Sequence, residues 1–235
     1  MPRKSLFWPS FWAGFGFLLL LGLGTWQVQR LHWKEGLIAQ RNAALHAAPV
    51  ALPATLAAAR ALEFHPVRAT GDFLNQDELY LNAQSRAGDE GFQIVTPFRL
   101  TDGKVLLVNR GFVPTDHQAP TTRQAGEITG PTAVTGLVRL PEGPGWFTPA
   151  NDAVHNSWFF IDIPAMAKAT GLAHVLPYYI DADATPNPGG WPKGGQTVTT
   201  LPNHHLQYAI TWYSLAAGLV VIYIRFAFLR ARGRY

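Results

Sequence analysis

Two adjacent imidazoles stand directly before a long uncharged stretch of this 235-residue chain. His204 and His205 precede residues 206–224, none of which is charged. Neutral imidazole is the commonest metal ligand among side chains. On a helix, one face would carry His205 together with small and flat apolar side chains, namely Tyr208, Ala209, Trp212 and Ala216. This face suits a planar macrocycle with an axial imidazole, Ala209 and Ala216 leaving space for it. The alternative is an aromatic anchor belt at a membrane interface.

A second set of candidate residues lies on the first apolar segment. By the same periodicity, Trp26, Gln29, Arg30 and Trp33 share a face. If the two apolar segments are antiparallel neighbours, Arg30 comes towards His205, where a guanidinium can pair with a ligand carboxylate such as a haem propionate. A cation that snorkels to the interface is the alternative. We therefore select as cofactor-binding candidates His205, His204, Tyr208, Trp212, Arg30 and Trp26, with His205 as the leading candidate for a metal ligand.

Two segments are long enough to cross a bilayer. A helix rises about 1.5 Å per residue and a hydrocarbon core is about 30 Å thick. We predict transmembrane helices over residues 6–29 and 205–229. The first is long and lacks a small-residue cleavage motif, so we interpret it as a retained anchor and not as a secretory signal. Its glycines at 14, 16, 22 and 24 would admit a partner helix.

The distribution of charge predicts the orientation. The net charge is +4, and the region between the segments holds 13 basic and 15 acidic residues. Basic residues without acidic neighbours flank the segments on the other side: Arg3, Lys4, Arg225, Arg230, Arg232 and Arg234. This positive-inside pattern places both termini in the cytoplasm and the middle of the chain outside. It gives no support for nucleic-acid binding.

Residues 30–203 are predicted to form one periplasmic α+β domain, an antiparallel sheet or open barrel with short helices. Alternating and β-branched runs predict strands at 63–71, 78–82, 92–100, 105–108, 132–140, 158–162 and 175–182. Helices are predicted at 30–45, 54–62 and 163–170, the last capped by Asp162 and ended by Gly171. The whole chain is thus an α+β membrane protein, with transmembrane helices at its ends and a β-rich extracytoplasmic domain between them.

Other polar residues carry weaker signals. Arg110 follows a predicted strand, where it could reach a propionate or a protein partner, or structure a strand-end turn. Asp181 and Asp183 are interpreted as solvated loop charges, and residues 186–195 as a mobile tether. The chain has no Cys, which excludes a C-x-x-C redox centre, thiolate copper delivery and covalent c-type haem. No Ser/His/Asp or paired-carboxylate signature indicates an enzyme.

Four motifs resemble those of the Surfeit locus protein 1 family. They are residues 24–30 (GTWQVQR) with Trp33 and Lys34, residues 108–114 (VNRGFVP), residues 158–167 (WFFIDIPAMA) and residues 203–213 (NHHLQYAITWY). They occur in order from the first apolar segment to the second, so the resemblance spans nearly the whole chain.

The resemblance implies a non-enzymatic assembly factor for haem-copper cytochrome c oxidase, which binds haem a transiently and helps it reach subunit I. The family's His precedes Leu-x-Tyr-Ala, so the resemblance implies that His205 is the ligand of haem iron. His204 stands where an Asn is common in the family. Implied partners are subunit I, the lipid bilayer and, as a further candidate, haem a synthase. With few residues before the first span, we expect a bacterial inner membrane. The rival is a scaffold that stabilises a subunit I intermediate without binding haem, and a membrane-anchored enzyme or sensor lacks any positive feature.

Overall fold

The computed structural model of the chain describes residues 6–85 and 88–232. Arg3, Lys4 and Arg234, used in the charge argument, lie outside these residues. The α-helices are α1 (Phe7–Leu45), α2 (Leu56–Ala61), α3 (Ile163–Thr170) and α4 (His205–Ala231). The strands are β1 (Val50–Ala51), β2 (Pro66–Phe73), β3 (Leu79–Gln84), β4 (Glu90–Leu100), β5 (Val105–Pro114), β6 (Thr132–Arg139), β7 (Ser157–Trp158) and β8 (Val175–Ala182).

The chain divides into two compact units. One is made of Met1–Gln40 with Thr200–Tyr235, and the other is Arg41–Thr199. Helices α1 and α4 are each long and apolar enough to cross a membrane. The protein is therefore an α+β membrane protein in which two apolar helices flank a β-rich domain, as the sequence predicts. Helix α1 continues unbroken to Leu45, so the predicted helix at 30–45 is confirmed; where the bilayer ends along it stays a prediction.

The two long helices of the first unit pack against each other in opposite directions. On α4 the less exposed positions are spaced four and three residues apart in turn: His205, Ala209, Trp212, Ala216, Leu219 and Tyr223. On α1 the corresponding row is Ser10, Ala13, Phe17, Leu20, Gly24 and Gln27. Alternation of four and three is the repeat of a coiled-coil seam. We call these twelve residues the helix seam.

Contacts along the helix seam fix its register. The hydroxyls of Ser10 and Tyr223 lie 2.5 Å apart at one end. Near the other end the ring of Tyr213 lies so close to Gly24 that a Cβ there would come within 2.7 Å of it. Such close approach is what a glycine at a helix interface permits. The predicted role of glycine is thus confirmed at Gly24, whereas Gly14 and Gly22 have no atom close to the place of a Cβ.

The second unit is built on a barrel. Five strands form a closed ring in the order β2-β6-β8-β5-β4, because β4 also pairs with β2. Strand β3 extends the sheet beside β4, and the two-residue strands β1 and β7 complete its ends. Of the two predicted forms, an antiparallel sheet or an open barrel, the barrel is confirmed, but its ring is closed and its sheet is mixed: β5–β8, β1–β2 and β3–β7 run parallel.

The core of the barrel consists of two apolar clusters. One gathers inward residues of β2, β4, β5, β6 and β8 around Phe98 and Tyr178, with Ala59 of α2 against it. The other joins Trp158 and Met166, which places α3 over the sheet. Helix α3 begins and ends where predicted: the Asp162 carboxylate accepts from the Ala165 amide at 3.0 Å, and Gly171 adopts φ 66°. The strand predicted at 158–162 is wrong beyond Trp158, because β7 ends there.

The segment between β8 and α4 is fastened to the barrel and is not the loose tether predicted. Phe112 of β5 and Lys193 exchange two backbone hydrogen bonds of 2.9 Å. Gly111, at φ 118°, has no side chain to obstruct the backbone of Lys193. The Asn187 amide also donates to the Pro192 carbonyl at 2.6 Å. Main-chain contacts with β5 thus hold this segment at Lys193, and a composition argument cannot reveal them.

Candidate functional site

His205 is the first residue of α4, and its ring is oriented by a residue of α1. The backbone amide of His205 donates to the Asn203 side chain at 3.3 Å. Its Nδ1 lies 2.7 Å from Oε1 of Gln27. An amide oxygen only accepts hydrogen bonds, so a neutral ring in this contact carries its proton on Nδ1 and its lone pair on Nε2. An imidazole in this tautomer, held by a carbonyl-type acceptor, is the form that ligates metals in proteins.

His204 differs from its neighbour in every one of these respects. It occupies the N-cap position of α4, its side chain makes no capping hydrogen bond, and it is exposed. It borders a shallow groove of about 410 Å³ together with Gln207 and Thr211. The two imidazoles are therefore distinguishable by geometry: His205 is half-buried and contacts Gln27 through Nδ1, and His204 is free of side-chain partners among the described residues.

The aromatic candidates lie at the surface of the helix pair. Tyr208 is 54% exposed and Trp26 is 51% exposed, whereas Trp212 is half-buried in the helix seam. The space expected beside Ala209 and Ala216 is absent, because both residues are buried within the helix pair. That expectation is wrong for a simple reason: small residues on a membrane helix allow a neighbouring helix to approach, and here α1 does.

Arg30 is exposed on α1, and its guanidinium lies 4.2 Å from the ring centre of Trp33. A cation over an indole face is attracted by the ring quadrupole. Within the part of the chain that the structure describes, no hydrogen bond or ion pair joins Arg30 to His205. The structure therefore brings His205 together with Gln27, and Arg30 together with Trp33.

Gln27 is the residue that the sequence argument missed. It belongs to one of the resembling motifs, but it falls on a different face of α1 from the one that carries Trp26 and Arg30. The signal that could have found it is the seven-residue repeat of Ser10, Phe17 and Gly24, with Gln27 three residues further on. Gln27 and His205 are 178 residues apart, so their contact follows only from the register of the two helices.

Arg110 was predicted to reach a propionate or a protein partner, or to structure a strand-end turn, and the structure places it in neither setting. It lies inside β5, is 1% exposed, and donates to the carbonyl of Gly126 and to Oδ1 of Asn187 at 3.3 Å. Its Nη1 is 3.8 Å from the carboxylate of Glu78, and its head group lies 4.4 Å above the ring of Phe73. Arg110 therefore belongs to the interior of the barrel and not to a strand-end turn.

Asp181 is likewise a buried residue and not a solvated loop charge. It lies in β8 and accepts 2.8 Å hydrogen bonds from the side chains of Asn109 and Thr197. Arg139 lies 3.6 Å away. Burial raises the pKa of Asp181 even though these neighbours oppose the rise. Asp183, by contrast, is partly exposed and accepts from the Thr185 amide at 2.9 Å.

Comparisons with known proteins agree with the resemblance noted above. A family model described as the SURF1 family matches residues 15–217, which include both Gln27 and His205. Surfeit locus protein 1 of Mus musculus is 42% identical over 222 residues, covering 86% of this chain and 72% of the relative. The Homo sapiens protein of that name is 42% identical over 225 residues, covering 89% and 74%. A SURF1-like protein of Monosiga brevicollis is 41% identical over 229 residues, covering 92% and 85%.

Proposed function

The chain belongs to the SURF1 family, and from this premise we propose that it is an assembly factor for haem-copper cytochrome c oxidase. In this proposal it binds haem a non-covalently and assists its insertion into subunit I. It acts as a carrier and not as an enzyme, since it makes and breaks no covalent bond in its cargo. The haem a synthase is proposed as the partner that supplies the cargo.

One observation carries this proposal: the hydrogen bond between His205 Nδ1 and Gln27 Oε1. A protein that is to ligate iron through an imidazole has to fix the ring and present a lone pair, and a hydrogen-bond acceptor on the other ring nitrogen does both. Gln27 supplies that acceptor from the neighbouring helix. His205 would hold haem iron through Nε2. His204, which lacks such a partner, is the weaker candidate.

The remaining candidates suit the edges of a macrocycle. The helix seam is filled at Ala209 and Ala216, so the cargo would lie on the flank of the helix pair, where Tyr208 and Trp26 expose their rings. Trp212 would contact it only at its exposed edge. The guanidinium of Arg30 is exposed and would neutralise a propionate. An apolar tail on the cargo would remain in lipid.

We propose a bacterial inner membrane as the location, with both termini in the cytoplasm and residues 30–203 in the periplasm. The basic residues Arg225, Arg230 and Arg232 after the second apolar segment, and the slightly acidic middle region, support this orientation. The relatives named above come from eukaryotes. The bacterial location therefore rests on the sequence argument alone.

The visible absorption spectrum of the detergent-purified protein tests the haem proposal. The protein would be made in cells that produce haem a, as wild type, His204→Ala and His205→Ala. We expect a haem a band in the wild type and in His204→Ala, and its loss in His205→Ala with an unchanged circular dichroism spectrum. A band that survives in His205→Ala but disappears in Arg30→Ala would contradict the assignment of the ligand.

A scaffold function is the second candidate, and the burial of Ala209 and Ala216 favours it. On this alternative, the family motif on α4 serves helix packing, and the protein stabilises a subunit I intermediate without touching haem. A strain from which the gene for this protein is deleted distinguishes the scaffold function from the carrier function. Fewer oxidase complexes with full haem occupancy would favour the scaffold, whereas complexes that lack haem a in subunit I would favour the carrier.

A further inference from the structure

Two adjacent aromatic side chains protrude completely from the barrel unit. Trp146 is 100% exposed and Phe147 is 99% exposed, in the connection between β6 and β7. Large apolar side chains of this size normally bury most of their surface, and a fully exposed pair marks a site of interaction. Neither residue takes part in the helix pair or in the barrel core. Their function is therefore separate from the proposed haem site.

The backbone holds the two rings outward. The Thr148 amide donates to the Gly145 carbonyl at 3.1 Å, which closes a β-turn with Trp146 and Phe147 at its two central positions. The Thr148 hydroxyl accepts in return from the Gly145 amide at 2.9 Å. Both bonds satisfy backbone groups inside the turn. The turn therefore has fewer polar groups to desolvate when its tip leaves water, which lowers the cost of its burial.

Both ends of this connection are anchored to the domain. At its start, Arg139 pairs with Glu142 at 2.8 Å. At its end, the Asn151 side chain accepts from the Phe159 amide at 2.8 Å and donates to the Phe160 carbonyl at 3.2 Å. The aromatic tip is thus presented on a fixed base.

The chemistry of the tip matches a lipid interface. Residues 143–151 carry no charge, and the acidic residues Glu142 and Asp152 lie at either side. Tryptophan and other amphipathic aromatics prefer the headgroup level of a bilayer. Apolar helices precede and follow the domain in the chain, so a bilayer is the apolar phase tethered to it. We propose that the Trp146–Phe147 turn inserts into the interfacial layer of the membrane that the two helices span.

A protein partner fits the tip less well. A specific protein interface buries about 800 Å² on each side, which requires a contiguous patch. Here two rings stand alone at the end of a turn, and the nearby exposed residue Val154 lies between the polar residues Asp152 and His155. A two-ring tip is enough to anchor a turn in an interface, but it is not enough to form a protein contact of standard size.

Because the chain has no Cys, a single Cys introduced by mutation can be labelled selectively, which allows a direct test. Phe147→Cys in the full chain would carry a nitrobenzoxadiazole fluorophore, and the protein would be reconstituted into phosphatidylcholine vesicles. Quenching by lipids with a nitroxide near the headgroup would be compared with quenching of the same label at Val154→Cys. The second site is 90% exposed and controls for the lipid affinity of the label. We expect severalfold stronger quenching at position 147 and weaker quenching there when Trp146→Ser is added.

Equal quenching at positions 147 and 154 would overturn the proposal. So would a label at position 147 that remains in water with vesicles alone and becomes shielded only when purified oxidase subunit I is added, since the occupant would then be a protein. Because no step involves haem, the outcome is independent of the haem proposal.

Discussion

Arg123 and Glu78 face each other through two parallel hydrogen bonds in the interior of the barrel unit. The distances are 3.2 Å from Nη1 to Oε1 and 2.6 Å from Nη2 to Oε2. Arg123 also pairs with Glu127, and Arg110 approaches the same Glu78 carboxylate. One acidic group therefore serves two buried guanidiniums. The Glu78 carboxylate therefore links Arg110 of β5 to Arg123 in the loop that follows β5.

Replacing Glu78 by Gln should destabilise the barrel strongly. Breaking a buried ion pair by neutralising one partner costs about 3–5 kcal/mol when the remaining charge stays buried. Among the described residues, Arg123 would keep Glu127 as a partner, whereas Arg110 would keep no carboxylate within ion-pair distance, so we expect a loss near the lower end of this range. Denaturant unfolding of the detergent-solubilised protein, followed by tryptophan fluorescence, would measure the change. Glu142→Gln is the matched control, because the Glu142 side chain is 77% exposed where it pairs with Arg139. Equal losses in both variants would refute the ionic explanation.

Replacing Gln27 by Leu should weaken haem a binding by about 10–100-fold, since loss of the hydrogen-bond acceptor on Nδ1 frees the His205 ring. Titration of the purified protein with haem a would measure the dissociation constant. Thr25→Val removes another hydrogen bond of the helix pair, 3.2 Å long and to Tyr213, and should leave the affinity unchanged. If both variants lose affinity alike, packing of the pair and not the tautomer of His205 is responsible.

Adding one methyl group at Gly24 should loosen the helix pair. The new Cβ would meet the Tyr213 ring, and overpacking of this kind costs about 1–3 kcal/mol. Gly22→Ala makes the same chemical change in open space on the same helix and controls for the higher helix propensity of Ala. Thermal unfolding in detergent should show a lower midpoint for the Gly24 variant alone. Matching midpoints would mean that Tyr213 moves aside without loss.

Replacing Asp181 by Asn should change how stability depends on pH. The folded-state pKa of Asp181 lies above its ordinary value of 3.8, so between the two values the folded protein binds more protons than the unfolded chain. Stability of the wild type therefore falls as pH rises through that window, and Asn removes this slope. Midpoints of thermal unfolding, measured from acidic to neutral pH, should favour the variant increasingly and then level off. A difference that does not vary with pH would contradict the assignment.

Elements whose sequence signals lie within the element itself are predicted correctly. Helix α3 was found to the residue because an Asp cap, a Pro in the first turn and a terminal Gly all mark it. Strand β8 is predicted correctly because its short apolar run does not show the periodicity of a helix. The face of α4 that carries His205 followed from periodicity, which depends on one helix only.

Contacts between distant segments escaped prediction. Arg110 stands among Asn109 and Gly111, which suggests a turn, yet β5 continues to Pro114 because β4 and Lys193 pair with it on both sides. Asp181 was assigned to a loop because Pro and Gly follow it, and only its partners Asn109 and Thr197 explain its burial. Gln27 was missed for the same reason. In each case, the environment of the residue depends on a contact with a segment distant in sequence, and that contact follows from the register of the paired elements.

The closed ring of strands limits the ways in which another protein can recognise this domain. Recruitment by strand addition requires a long unpaired edge, onto which an incoming chain lays its own backbone. Here β2 and β4 close the ring on each other, and the strands at the ends of the sheet, β1 and β7, are two residues long. The described strands therefore offer a partner only short stretches of unpaired edge to extend. Recognition of this domain is expected to depend mainly on surface side chains, which can be exchanged without changing the pairing of the strands.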